Sequence, residues 1–228
     1  MVKIPAVALV ICMVLSGCKS ASIKHSSSPS SPPSDKNPTE LYQDAKTAYD
    51  RGEYKSAIAD LLIAAGQGDA KSQCLLGTMY GGGKGVPKNE AEAVNWYRKA
   101  AEQGLAEAQF SLGAAYHEGS GVTQDYDEAN KWTRKAAEQG YTQAQYNLGV
   151  MYYNDRCMPR NYVLAHTWLN LAAANGMKKA GKFRDKVEKL MTKEQIAEAQ
   201  RLAREWKPKK ERYYPERGSD LPPGNRSR

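Results

Sequence analysis

The sequence predicts an all-α protein, a right-handed α/α solenoid of about five helical-hairpin repeats. Three observations predict it. Gly77, Gly113 and Gly149 stand 36 residues apart, as do Tyr80, Tyr116 and Tyr152, and Trp96, Trp132 and Trp168. When 70–105, 106–141 and 142–177 are set in register, nine of 36 columns are identical, including Gln73/Gln109/Gln145, Leu76/Leu112/Leu148, Ala93/Ala129/Ala165, Ala100/Ala136/Ala172 and Ala101/Ala137/Ala173. Within each copy the small and apolar residues fall three and four apart, the helical period, in two runs separated by a break. A unit of this length is one supersecondary element that buries its apolar side only by stacking on its neighbours.

The chain opens with "MVKIPAVALVICMVLSGC". A lysine precedes an apolar run from Ile4 to Leu15, too short to cross a bilayer and suited to the core of an export signal. Leu15-Ser16-Gly17-Cys18 resembles the bacterial lipobox. That resemblance implies cleavage before Cys18 and lipidation of its thiol, with several acyl chains giving stable anchoring. Lys19 stands where an aspartate would imply retention in the inner membrane, so the resemblance implies the outer membrane, facing the periplasm. Residues 19–38 hold eight serines and four prolines and read as a disordered tether. Fully stretched, it reaches roughly 60 Å.

The folded region is expected over 39–206. "AKTAYDRGEYKSAIADLLIAAGQGD", residues 45–69, reads as a first hairpin with a short turn. In the three repeats the first helix carries Leu76, Gly77 and Tyr80 on one stripe, and the second carries Ala93, Trp96 and Ala100. Small residues at Gly77 and Ala93 allow a close approach. Gly104, Gly140 and Gly176 sit where each second helix must stop. Ala180 to Leu190 continues the stripe, Thr192 and Gln195 form a capping box, and "QIAEAQRLAREW" closes the array. Residues 207–228 carry seven basic and three acidic residues and read as a disordered basic tail.

"YGGGKGVPKN" (80–89) invites a reading as a phosphate-binding loop, but Thr78 replaces the leading glycine and Gly85 the hydroxyl that would hold magnesium. Its counterparts "YHEGSGVTQD" and "YYNDRCMPRN" make all three the turn within a repeat, with Gly85 and Gly121 supplying positive φ. In the third copy Asp155, Cys157 and Met158 break the pattern, so an irregular turn is expected there.

The columns A-x-x-x-L-G-x-x-Y, G-x-G-V and A-x-x-W-Y-x-K-A-A with a closing glycine resemble the Sel-1-like repeat, a relative of the tetratricopeptide repeat. The resemblance covers roughly 40–206. It implies a non-enzymatic scaffold that binds another protein in a concave groove lined by first helices. Repeat lipoproteins of this kind also resemble those neutralising phospholipase toxins delivered by type VI secretion, so an immunity protein is an alternative. Cysteine-stapled members are linked to β-lactamase activity, which makes a β-lactamase or cell-wall hydrolase a further alternative. This chain lacks the paired cysteines.

The residues themselves speak for binding over catalysis. After Cys12 and Cys18, only Cys74 and Cys157 remain, two repeats apart, and two free thiols are expected. His117 and His166 fall in columns with no other His or Cys and read as isolated surface or groove residues. No metal or catalytic spacing is present, and no cofactor is expected. Charge is uneven: residues 41–176 carry 13 Lys+Arg against 15 Asp+Glu, and 177–228 carry 16 against 8. The basicity belongs to the C-terminal quarter and does not imply nucleic acid.

By analogy with the related repeats, groove positions are spaced 3, 4 and 3 along each first helix. This assigns partner binding to Tyr49, Lys71, Phe110, His117, Tyr146, Tyr153, Lys179, Lys182 and Lys186. The middle of the groove is then aromatic and its C-terminal end a lysine stripe.

Overall fold

The computed structural model describes residues 36–154 and 159–209. The segments expected as an export signal and a tether, with Cys18, the turn residues Asp155, Cys157 and Met158, and the expected tail from residue 210 lie outside the described residues. Among the described residues there are ten helices and no strand. They are α1 (Pro38–Asp50), α2 (Tyr54–Gly66), α3 (Ala70–Gly82), α4 (Glu90–Glu102), α5 (Ala106–Glu118), α6 (Tyr126–Glu138), α7 (Thr142–Asn154), α8 (Tyr162–Ala174), α9 (Lys178–Glu188) and α10 (Lys193–Glu205).

Local chemistry fixes where these helices begin. Asp69, Asn89, Asp125 and Asn161 cap α3, α4, α6 and α8, each side chain accepting from backbone N–H groups of the first turn. Thr192 and Gln195 form the expected capping box on α10. A second box, Asn37 with Glu40, starts α1, so Asn37 and Pro38 belong to the fold rather than to the tether. Gly104, Gly140 and Gly176 follow the second helices at φ 91°, 93° and 89°.

Consecutive helices pack in hairpins, α1 on α2, α3 on α4, α5 on α6 and α7 on α8, and each hairpin then packs on the next through α2–α3, α4–α5 and α6–α7. Leu76, Leu112 and Leu148 are fully buried at the centre of successive repeats. Close crossings are set by the invariant glycine of the first helix. A Cβ on Gly113 would lie 2.7 Å from Thr133 Oγ1 and 3.1 Å from the Ala129 carbonyl oxygen. The turn glycines do more than bend the chain: Gly121, at φ 72°, brings its backbone against Glu90 at the start of the previous repeat's α4.

The invariant glutamines form a ladder along the seams between repeats. Nε2 of Gln73, Gln109 and Gln145 donates to the carbonyls of Ala65, Ala101 and Ala137, at 3.2, 3.2 and 3.4 Å. Those carbonyls lie in the last turns of α2, α4 and α6, where a helix leaves acceptors without in-helix donors. The Oε1 atoms of the same glutamines accept from Gln103, Gln139 and Asn175 of the following second helices' ends, at 2.7, 2.8 and 3.0 Å. Each amide thus ties three successive helices into one register.

The C-terminal end departs from the pattern. α9 and α10 both pack on α8 instead of chiefly on one another. The reason is the narrow apolar stripe on each: α9 buries Ala180 and Val187, and α10 buries Ala199. Beyond α10, Trp206 stands edge-on to Trp168 at 6.3 Å. Lys209 then donates its backbone N–H to the Glu138 carbonyl at 2.8 Å and its Nζ to the Glu138 carboxylate at 2.9 Å. Residues 207–209, expected as the start of a disordered tail, are therefore held at the C-terminal end of α6, where an orphan carbonyl and the helix dipole favour a cation.

Candidate functional site

The predicted partner-binding residues all fall on odd-numbered helices, the first of each hairpin, in three groups along the chain. At the N-terminal end, Tyr49 of α1 is half-buried, edge-on to Tyr54 at 5.4 Å. Its hydroxyl accepts from Lys84 Nζ at 2.6 Å, and the same ammonium lies 4.7 Å from its ring. Tyr49 is thereby committed to holding the α3–α4 turn. Lys71 of α3 is exposed, its Nζ 5.9 Å from the Tyr42 ring.

In the middle, Phe110 packs against Tyr141 at 5.4 Å, and His117 stands edge-on to Tyr126 at 5.5 Å. Cys74 lies beneath this region, buried, and burial pushes its thiol far above the usual range. Burial likewise raises Tyr42, Tyr97 and Tyr141, with a smaller contribution from the Glu107 carboxylate. A buried thiol of this kind is a packing group, not a nucleophile.

The third group is the densest. Tyr146 of α7 has Lys179 Nζ 4.4 Å from its ring centroid and Phe183 at 6.5 Å. Tyr153 contacts the same Phe183 at 5.0 Å and Tyr162 at 6.1 Å. Lys182 and Lys186 are exposed beside them. Phe183 was not among the predicted residues. The 3-4-3 spacing puts Lys182 in the column of Tyr146, whereas the ring that meets both Tyr146 and Tyr153 of α7 is one residue further on. Its signal in the sequence was rarity: the chain has two phenylalanines, and both lie on odd-numbered helices.

His166 corrects the expectation of isolated surface or groove histidines. It is 1% exposed on α8, with Nε2 3.3 Å from Glu188 of α9. Burial lowers its pKa, opposed by Glu188. Single-position features such as this have no column to betray them. Among the described residues no three metal-ligating side chains converge.

Helical hairpins of one recurring pattern, each packed on the next, define an α-helical repeat protein. The chain is a Sel1-repeat protein: the Sel1 repeat model matches residues 70–105, 106–141 and 142–177. Among solved structures it is similar to c5321, a protective antigen present in uropathogenic Escherichia coli strains that displays an SLR fold, at 38% identity and a TM-score of 0.67 over 74% of this chain and 37% of that one. It is also similar to a Sel1 repeat protein from Oxalobacter formigenes, at 37% identity and a TM-score of 0.59 over 61% of this chain and 57% of the other. The chain thus spans little more than a third of the first relative and under two thirds of the second. No curated protein matches it significantly. Sel1-repeat proteins in general are non-catalytic scaffolds that mediate protein–protein interaction.

Proposed function

We propose that this chain is a non-enzymatic scaffold of the bacterial cell envelope, binding a partner protein on its odd-helix face and anchored through lipid on Cys18, in the outer membrane facing the periplasm. The observation that carries the binding reading is the cluster of Tyr146, Tyr153 and Phe183 on one face of an array whose register is tied by the glutamine ladder. Rigid aromatic side chains lose little conformational freedom on binding and dominate interface energetics. The lipobox-like Leu15-Ser16-Gly17-Cys18 supports the anchor, and the protective-antigen description of c5321 fits an envelope address.

Affinity capture from the native envelope extract tests the binding reading, with Tyr146→Ala/Tyr153→Ala run in parallel. The expected result is one dominant partner that the double variant loses; a partner indifferent to the variant would refute this face as the site. If that partner were a phospholipase toxin, the scaffold would be an immunity protein. Cys18→Ser is expected to move the protein from the membrane to the soluble fraction, and continued membrane association would refute the anchor.

A further inference from the structure

We infer that the α7–α9 end of this face takes an acidic protein segment, one that alternates carboxylates with apolar or aromatic side chains. This rests on the reading above, that a protein binds this face, and names the chemistry of that protein.

The floor is apolar: Tyr146, Tyr153 and Phe183 meet there. Along its edge run Lys179, Lys182 and Lys186, continued by the exposed Lys178 and Lys189. Lys179 lies over the Tyr146 ring, but among the described residues Lys178, Lys182, Lys186 and Lys189 have no engagement within the chain. The lysines of the other odd-numbered helices are engaged: Lys46 pairs with Asp50 and Lys71 lies over Tyr42. On α9 both carboxylates are taken up by other partners, Asp185 by Arg184 at 2.7 Å and Glu188 by His166 at 3.3 Å. Among the described residues no carboxylate pairs with Lys178, Lys182, Lys186 or Lys189.

The spacing makes this costly. Lys178, Lys182 and Lys186 stand four apart, so their ammonium groups are neighbours on the helix surface and repel one another. A helix that carries such a stripe beside an aromatic floor is less stable alone than with anions laid along it. Carboxylates of an extended segment would relieve the repulsion, and the apolar side chains between them would cover the rings. Charge of this sign also speeds association with an acidic partner.

The test measures fluorescence anisotropy of a labelled twelve-residue peptide of repeated Glu-Glu-Phe on the full chain, beside the same peptide with glutamine for glutamate. The acidic peptide is expected to bind at least about tenfold more tightly than the glutamine peptide, and Lys179→Gln/Lys182→Gln/Lys186→Gln to lose roughly that factor. Lys55→Gln/Lys99→Gln/Lys131→Gln removes the same charge from even-numbered helices and is expected to leave binding unchanged. Equal binding of the two peptides, or an equal loss in both triple variants, overturns the inference. So does lysine-dependent binding to phosphatidylglycerol vesicles with no binding of the peptide. In the capture experiment, a partner lost by Tyr146→Ala/Tyr153→Ala but retained by the α9 lysine variant would overturn the acidic segment and leave the scaffold reading standing. Retention in both would overturn the two together.

Discussion

Replacing Gln109 probes the ladder at its centre. The residue is completely buried, donates to the Ala101 carbonyl at 3.2 Å and accepts from Gln139 at 2.8 Å. Removing the amide does not strand either partner outright. Ala101 O still accepts from the Gly104 N–H at 3.0 Å, and Gln139 still donates to the Gly104 carbonyl at 3.0 Å. The cost is therefore at least these two net hydrogen bonds, about 2 kcal/mol together, without the larger penalty of leaving Ala101 or Gln139 orphaned. Gln109→Met keeps the volume and should lose about 2 kcal/mol; Gln109→Ala adds a cavity and should lose about 3–4 kcal/mol. Gln139→Ala removes two hydrogen bonds, to the Gly104 carbonyl and to Gln109 Oε1, and should cost about 2 kcal/mol; the double variant should lose less than the sum, with a coupling near 1 kcal/mol. Urea unfolding followed by circular dichroism reads all four. A Gln109→Met variant within about 0.5 kcal/mol of the parent, or strict additivity with Gln139→Ala, would refute the ladder as a source of stability.

The turn glycines separate close approach from mere flexibility. Gly121→Ala would set a Cβ 2.2 Å from the Glu90 carbonyl oxygen at φ 72°, and a loss above about 2 kcal/mol is expected by thermal melting. Gly81→Ala, inside α3 with its nearest neighbour at 3.6 Å, should be neutral or stabilising by up to about 1 kcal/mol, and a loss there would contradict the packing described. Because burial holds the His166 pKa below 6.5, the unfolded chain takes up that proton first, and the histidine's contribution to stability is lost as pH falls below 6.5. Urea midpoints at pH 7.5 and 5.5 should show His166→Gln with a smaller acid-side loss than the parent and Glu188→Gln with a larger one; identical losses would refute this. Cys74 should resist iodoacetamide in the folded chain and react once urea is added, as read by peptide mass mapping.

Where the period held, the sequence carried the structure. The Leu76, Gly77 and Trp96 columns placed the helices of the three repeats, and residues 45–69, which lack the longer turn, still read as a hairpin, found as α1 and α2. The glutamine column was visible as an identity, but its role was not. Its acceptors lie eight residues upstream, across a seam that only packing creates, and its donors were hidden because the third is Asn175 rather than glutamine. At the C-terminal end the period fails, and so did inference from it. Phe183 faces α7 where the column pointed to Lys182, His166 is buried by an α9 that no earlier repeat resembles, and Lys209 finds Glu138 through a contact 71 residues apart in sequence.

The ladder also ends, and where it ends matters for mechanics. Thirty-six residues beyond Gln145 stands Gly181, which has no side-chain amide with which to reach back to α8. α9 is joined to α8 by side chains instead, Arg184 to Asn170 at 2.9 Å and His166 to Glu188. The ladder therefore fixes register from α2 to the end of α8, while α9 takes its place on α8 through contacts of its own, so a substitution in the lysine-bearing helix leaves untouched the amides that set the pitch of the preceding rows.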